Sequence, residues 1–406
     1  MSLTEVQFEP VVPSCVSPFK SVEVRQCGSW DELEQFRPAW NQLLEADNAA
    51  AIFLTPEWLH AWWNAYGGGH EIRSLAFISE GELIGLAPMY LEKSRRGLRT
   101  LRFIGSASGD SDALNLIVKP GAEDLVVRTI IEYLRDCREW DICSLETLPA
   151  ESAVTAALQA TIEYERWMTS SLRHPHSFIE LPATWDEYLK KLQPNFRPLL
   201  TRYPKRLQSR YQVRISRCED PADLGPALER LFALHQMRWS TRGEAGAFSV
   251  AARRSFYAEM SRAFLERGWL EFSSLALGHE IAATQFCFRY RDTVSLLQEG
   301  FDPRYTEDKV GYALRAHVLQ RLMGEGVRCY DFLGGDDSYK LKFGATRSNY
   351  LDLHFAGSAR GRLELQKRNL KAGLKSWAKQ HVPPRALGLL SGVLRRRPAK
   401  VAKENL

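Results

Sequence analysis

The sequence predicts a mixed α/β protein, an α+β mixed sheet, in which one folding unit occurs twice. Three observations lead there. The order of elements repeats: two helices, an antiparallel hairpin, a further strand, a helix and a closing strand occur in each half. Two segments correspond internally, GELIGLAPMYLE (81–92) with GHEIAATQFCFR (278–289) and WDICSLETL (140–148) with YDFLGGDDS (330–338), at offsets of 197 and 190 residues. A chain of 406 residues with 45% apolar and 25% charged side chains also suits two domains of a soluble protein.

The elements follow in order. Residues 1–20 are rich in Pro, Ser and Val without periodicity and read as a flexible leader. SWDELEQFRPAWNQLLEAD (29–47) reads as a helix with Ser29 at its N-cap and Glu32 three residues on. TPEWLHAWWNAYG (55–67) reads as a second, capped by Thr55, started by Pro56 and stopped by Gly67. IRSLAFIS (72–79) and LIGLAPMYLE (83–92) form the first hairpin; 123–139 is helical, and WDICSLETL is a buried strand. In the second half, 221–239 and 254–268 are helical, and 269–277 with 280–291 form the hairpin. TVSLLQEGF (293–301) is the next strand, 310–326 the helix and VRCYDFL (327–333) the strand that follows it, with NYLDLHFA (349–356) last.

Seven single cysteines without a CxxC pair argue against a disulfide scaffold or zinc site and fit a reducing cytoplasm. No apolar run approaches the roughly 20 residues of a membrane span. The net charge of +5 hides an asymmetry: residues 358–406 carry 13 basic and 2 acidic side chains. A second basic stretch, KKLQPNFRPLLTRYPKRLQSRYQVR (190–214), has no acidic residue. Such runs are solvated helix faces or attract anionic partners, acidic lipid or a partner protein among them.

Several residues carry possible chemistry. Strand alternation in VRCYDFL sets Asp331 on an apolar face with Val327, Cys329 and Leu333, where a carboxylate must be paired or have its pKa raised. Asp331 is thus a candidate base; because Asp141 occupies the matching place, a structural hydrogen-bond acceptor is the simpler alternative. Glu299 is a competing base. Gly334, Gly335, Asp336, Asp337, Tyr339 and Lys340 have no counterpart in the first half. Paired glycines let backbone approach a ligand. Asp336 and Asp337 could hold an acceptor ammonium, and Tyr339 and Lys340 its hydroxyls or phosphate; a polar turn is the plain alternative. In HQMRWSTRG (235–243), His235 is a candidate acid/base or ligand, and Arg238 and Trp239 candidate acceptor contacts, against structural roles for each. HPH (174–176) lacks a third ligand at useful spacing, so no metal site is expected.

With HQMRWSTRGEAGAF (235–248), GFDP (300–303) and YDFLGGDDSYK (330–340), the order of elements resembles the GNAT-type acyltransferases. Within them it is similar to tandem-GNAT, CelD-like proteins of cellulose biosynthesis, distant relatives of the FemAB aminoacyl transferases. The resemblance spans roughly residues 25 to 355. It implies two tandem GNAT-like domains: a degenerate one over 21–170 and one over 171–357 that carries the site, followed by a basic helical tail over 358–406. It implies that acetyl-CoA or another acyl-CoA lies between the fourth strand (293–300) and fifth strand (327–333), bonding Gln298 and Gly300. The pyrophosphate would then rest on the helix start at Lys309, Val310 and Gly311. The Gly-rich pyrophosphate signature of ordinary GNAT enzymes is absent from RYTEDKVGY (304–312).

The expectation is a cytoplasmic, acyl-CoA-dependent N-acyltransferase acting on a small-molecule amine, an amino sugar or amino-acid-like acceptor in polysaccharide metabolism. DNA is not expected as a partner. The alternatives are an aminoacyl transferase using charged tRNA, and a non-catalytic scaffold of polysaccharide synthesis.

Overall fold

Prolines and glycines set the corners of this chain. The computed structural model describes residues 21–137, 139–240, 246–335 and 337–381, with backbone alone for 238–240 and 375–381. In the first half, β1 (Glu23–Cys27), α1 (Trp30–Glu34), α2 (Arg37–Ala46) and α3 (Pro56–Tyr66) lead into β2 (Glu71–Ile72), β3 (Ser74–Ser79), β4 (Glu82–Ala87) and β5 (Met89–Lys93). Then come β6 (Arg99–Phe103), β7 (Ile117–Val118), α4 (Glu123–Asp136), β8 (Ile142–Pro149) and α5 (Ala153–Tyr164). The connection holds β9 (Thr169–Glu180), α6 (Trp185–Lys191), α7 (Arg197–Arg210) and β10 (Val213–Arg217). The second half has α8 (Pro221–Ser240), α9 (Ala251–Glu266), β11 (Leu270–Leu277), β12 (Glu280–Tyr290) and β13 (Thr293–Phe301). A 3-10 turn, Pro303–Asp308, precedes α10 (Val310–Gly324), β14 (Cys329–Gly334), α11 (Ser338–Lys342), β15 (Thr346–Ala356) and α12 (Ala359–His381).

The expected caps form. Thr55 accepts from the Trp58 N–H and Ser29 from the Glu32 N–H, while Glu32 reaches back to the Gly28 N–H. The helix expected over 29–47 is two helices, because Pro38 lacks the N–H that would continue the first into the second. The strand expected over 83–92 breaks at Pro88, which cannot donate to a ladder. There the chain changes sheets: β4 joins a four-stranded sheet, β1-β3-β4-β7, while β5 joins one of eleven strands.

That large mixed sheet runs β10-β11-β12-β13-β14-β9-β15-β8-β6-β5-β2. The two halves meet in it. β15 pairs with β8 of the first half on one edge and with β9 over ten residue pairs on the other. The boundary anticipated between residues 170 and 171 lies inside β9. A shared core reinforces the join: Trp58 of α3 packs against Phe256 and Phe264 of α9 and Phe288 of β12, all fully buried. Burying four such rings is worth on the order of 10 kcal/mol of transfer free energy before entropy is counted.

Asp141 does local work at the start of β8. Its carboxylate accepts from the Arg99 N–H at 2.9 Å and the Ser358 Oγ at 2.7 Å, tying β6 to the start of α12. Burial alone would raise its pKa, but these bonds and the Arg99 guanidinium outweigh it and hold the acid below its usual value.

Two predictions follow from this anchor. A Cβ at Gly361 would lie 1.9 Å from the Asp141 carbonyl oxygen, so Gly361→Ala must displace the first turn of α12. A loss of about 1–3 kcal/mol is expected, read as a lower Tm by calorimetry. Because the folded-state pKa of Asp141 is depressed, its contribution is present above the unfolded value of about 3.9 and fades as pH falls below it. Asp141→Asn should cost stability at pH 7 and lose less than wild type between pH 5 and pH 3 in urea titrations.

Candidate active site

β13 and β14 run parallel and pair only at Thr293–Ser295 with Cys329–Asp331. Beyond those three residues they part. β13 also carries a bulge against β12, where Phe286 faces Gln298 and Cys287 faces Leu296, leaving Leu297 extra. Past Ser295 and Asp331 the strand pairing of β13 with β14 stops, so the β13 backbone there has no β14 partner among the described residues.

On the α10 side of the fork lies Arg315, fully buried, with its guanidinium bonded to Glu299. The guanidinium carbon sits 4.7 Å from the Phe343 ring centre, 5.3 Å from that of Tyr339 and 5.4 Å from that of Phe332. Burial would lower the arginine pKa, but Glu299 and the surrounding tyrosines raise it, so the cation is permanent. Glu299 is therefore committed to an ion pair rather than poised as a base at a solvated strand end. Tyr339 is a wall of this cage, not an acceptor contact, and burial raises the pKa of its phenol.

At the outer end of the fork, α10 starts without a side-chain cap, with Lys309 left-handed at φ 55° and Val310 fully buried. The amides of its first turn, Gly311 among them, are the donors available to an anion. The basic helix α7 packs alongside α10: Arg210 pairs with Asp308 at 2.7 Å, and Arg206 reaches the Glu307 carbonyl at 3.4 Å. Gly300 also has a packing role. A Cβ there would lie 2.9 Å from Leu234 Cβ, so glycine lets α8 approach β13.

The segment after Asp331 turns around a cation. Lys340 is 2% exposed, and its Nζ donates to the carbonyls of Phe332 (3.3 Å), Leu333 (3.4 Å), Gly334 (3.0 Å) and Gly335 (3.4 Å). Asp337, also buried, stands 3.4 Å from the same Nζ. The ammonium expected from a substrate is thus the chain's own, and Lys340 does not project toward an acceptor. Leu333 at φ 60° and Gly335 at φ 119° give the turn its left-handed steps. The Gly334 N–H is redirected to Asp112 Oδ2 of the first half at 2.8 Å.

Asp331 is not enclosed on an apolar face with Val327: Val327 packs with Tyr330 and Phe332 in one core, and the fully buried Leu333, past the bulge between Asp331 and Gly334, packs in the other. Asp331 looks the other way, accepting from His176 Nε2 at 2.8 Å and the Leu333 N–H at 2.6 Å. Its field is felt nearby. Burial, then Asp331, push the Cys329 thiol up to about 12, and burial with Asp331 and Asp112 raises the Tyr350 phenol.

His235 is buried edge-on to Phe248 at 5.0 Å, a packed position. The side chains of Arg238 and Trp239, and Asp336 altogether, lie outside the described residues. Sequence reasoning missed the loop GSASGDSDALN (105–115), whose signal was two aspartates among turn-forming residues. Gly105, Ala107, Gly109 and Ala113 all have positive φ there. The loop buries Asp110 against Arg253 and Tyr257 of α9, and Asp112 against Gly334. No cluster of three or more metal-ligating side chains occurs among the described residues.

Residues 194–341 match the family described as an acetyltransferase (GNAT) domain. No curated protein matches the chain. Among solved structures, FemX aligns at a TM-score of 0.56 and 10% identity, over 82% of this chain and 96% of that one. A conserved protein of unknown function from Bacteroides thetaiotaomicron VPI-5482 aligns at 0.51 and 12%, over 82% and 100%. A tandem GNAT protein from the clavulanic acid biosynthesis pathway aligns at 0.45 and 11%, over 83% and 99%. The chain has a mixed α/β fold of the GNAT kind, and residues 194–341 within it match the acetyltransferase (GNAT) domain family.

Lys340→Met should leave four carbonyls and Asp337 without their cation. A loss of about 3–5 kcal/mol is expected from breaking a buried charge pair, measured by urea unfolding. A cost below 1 kcal/mol would show that the cage is dispensable.

Proposed function

We propose that the protein transfers an acyl group from a thioester, acetyl-CoA or another acyl-CoA, to an amine. The observation that carries this is the three-residue pairing of β13 and β14 followed by their fork, with the uncapped start of α10 beyond it. A pantetheine arm would bond the unpaired backbone of β13 near Gln298 and Gly300. Its phosphates would meet the amides of Val310 and Gly311, with Lys309 and the basic residues of α7 supplying charge. Holding thioester and amine together at the fork provides the orientation such a reaction needs, and backbone donors would stabilise the oxyanion.

The acceptor side is formed by Gly334, Gly335 and the loop carrying Asp112, and His235, Arg238, Trp239 and Asp336 would add acceptor contacts; Asp331 takes part in proton removal. The acceptor is an amino sugar or amino-acid-like amine of surface polysaccharide metabolism, cellulose included, and the reaction belongs in the cytoplasm. The first half acts as a support that lends Asp112. The basic tail, 358–406, would meet acidic lipid or a partner protein.

One observation favours a second donor, a charged tRNA: the basic face of α7 flanks the start of α10. Such a contact would weaken steeply with salt.

Thermal shift with CoA and acetyl-CoA separates these readings. A ligand at 100 times its Kd should stabilise the native state by about 2.7 kcal/mol, a rise of several degrees. Acetyl-CoA turnover with a panel of amino sugars and amino acids should follow. Salt-sensitive tRNA binding without a CoA shift would favour aminoacyl transfer, and neither response would leave a scaffold.

A further inference from the structure

We infer that His176, held by Asp331, is the base that takes the proton from the acceptor amine. The inference rests on the acyl-transfer reading and adds a residue to it.

Position comes first. Asp331 is the last β14 residue paired with β13, so it marks the vertex of the fork. Its side chain lies on the sheet face opposite Tyr330 and Phe332, which pack toward α10. A donor entering along α10 and an acceptor approaching from the other face would meet at this vertex. The His176 imidazole is on that second face, one hydrogen bond from Asp331.

Geometry then fixes the imidazole. A carboxylate only accepts, so the 2.8 Å bond to Asp331 Oδ1 assigns the proton to Nε2 and leaves the Nδ1 lone pair as the acceptor. The Leu333 N–H holds the same carboxylate oxygen. The ring is stacked 4.5 Å from Tyr350 and 5.5 Å from Phe178, which fixes its plane. Nδ1 makes no hydrogen bond among the described residues, and the side chain keeps 14% exposure. An oriented imidazole with one nitrogen bound to a carboxylate and the other accessible is the arrangement of a general base. Its neighbour on the same strand face, His174, is bonded to Asp352 at 2.6 Å and lies farther from the fork.

The step balances. The amine nitrogen attacks the thioester carbonyl carbon; a C–N bond forms and the C–S bond breaks. The proton on the attacking nitrogen passes to His176 Nδ1, the imidazolium is stabilised by Asp331, and the proton leaves to the thiolate or to solvent. The products are an amide and the free thiol.

The test uses the full chain, acetyl-CoA and the amine panel. His176→Gln should lower kcat by about 10²–10⁴-fold while the thioester KM and the CoA-induced thermal shift stay within about twofold. A base must be neutral, so the wild-type rate should fall on the acid side, and H176Q should lose that limb. Asp331, Cys329, Tyr350, Asp112 and His174 are the other titratable groups near the ring, and Asp331→Asn should shift the limb without removing it. His174→Gln is the control and should leave the rate within about threefold. Should H176Q fail to fold, histidine ¹⁵N spectra of the wild type decide: an Nδ1–H tautomer at His176 overturns the assignment, an Nε2–H tautomer supports it. Wild type without turnover on any amine sinks acyl transfer and this step with it. An active wild type with an unaltered H176Q rate and pH profile sinks the base alone.

Discussion

A buried ammonium needs oxygen around it, and the segment after β14 is shaped by that need. Lys340 collects four consecutive carbonyls, from Phe332 to Gly335, and the carboxylate of Asp337. To turn its carbonyls inward the chain must adopt left-handed steps at Leu333 and Gly335, and this turns the Gly334 N–H outward to Asp112. The same distortion ends the pairing of β14 with β13 and leaves Asp331 facing His176. One cation thus organises the fork, the contact between halves and the polar face of the sheet.

Much of the fold was legible because it rests on local chemistry. Thr55 as cap, Pro56 in the first turn and Gly67 as stop are local helix signals, and the structure has the helix at Pro56–Tyr66. The strands and helix on either side of the fork fall within two or three residues of their expected bounds. What was not legible is what depends on partners distant in sequence. Nothing near Pro88 says that β4 and β5 enter different sheets. Nothing near Asp331 announces His176, 155 residues earlier.

The site shows the same division. The lack of a first-half counterpart set GGDDSYK apart, but the contacts within it could not be read. A lysine beside two aspartates looks like a surface charge group until burial is known. Glu299 looked free for the same reason, since its partner Arg315 is on another element. The loop at 105–115 was passed over because its residues resemble any turn, and its aspartates gain meaning only against Arg253 and Gly334.

The position of β15 between β8 and β9 governs the order in which the protein can fold during synthesis. Until residues 346–356 have emerged from the ribosome, β8 has an open edge, and the first half waits as an incomplete sheet for most of translation. An exposed edge of that kind invites pairing with another nascent chain. Slow steps late in synthesis, or a truncation before Thr346, would therefore reach back to the first half, and a nascent-chain chaperone would find its substrate there rather than at the fork.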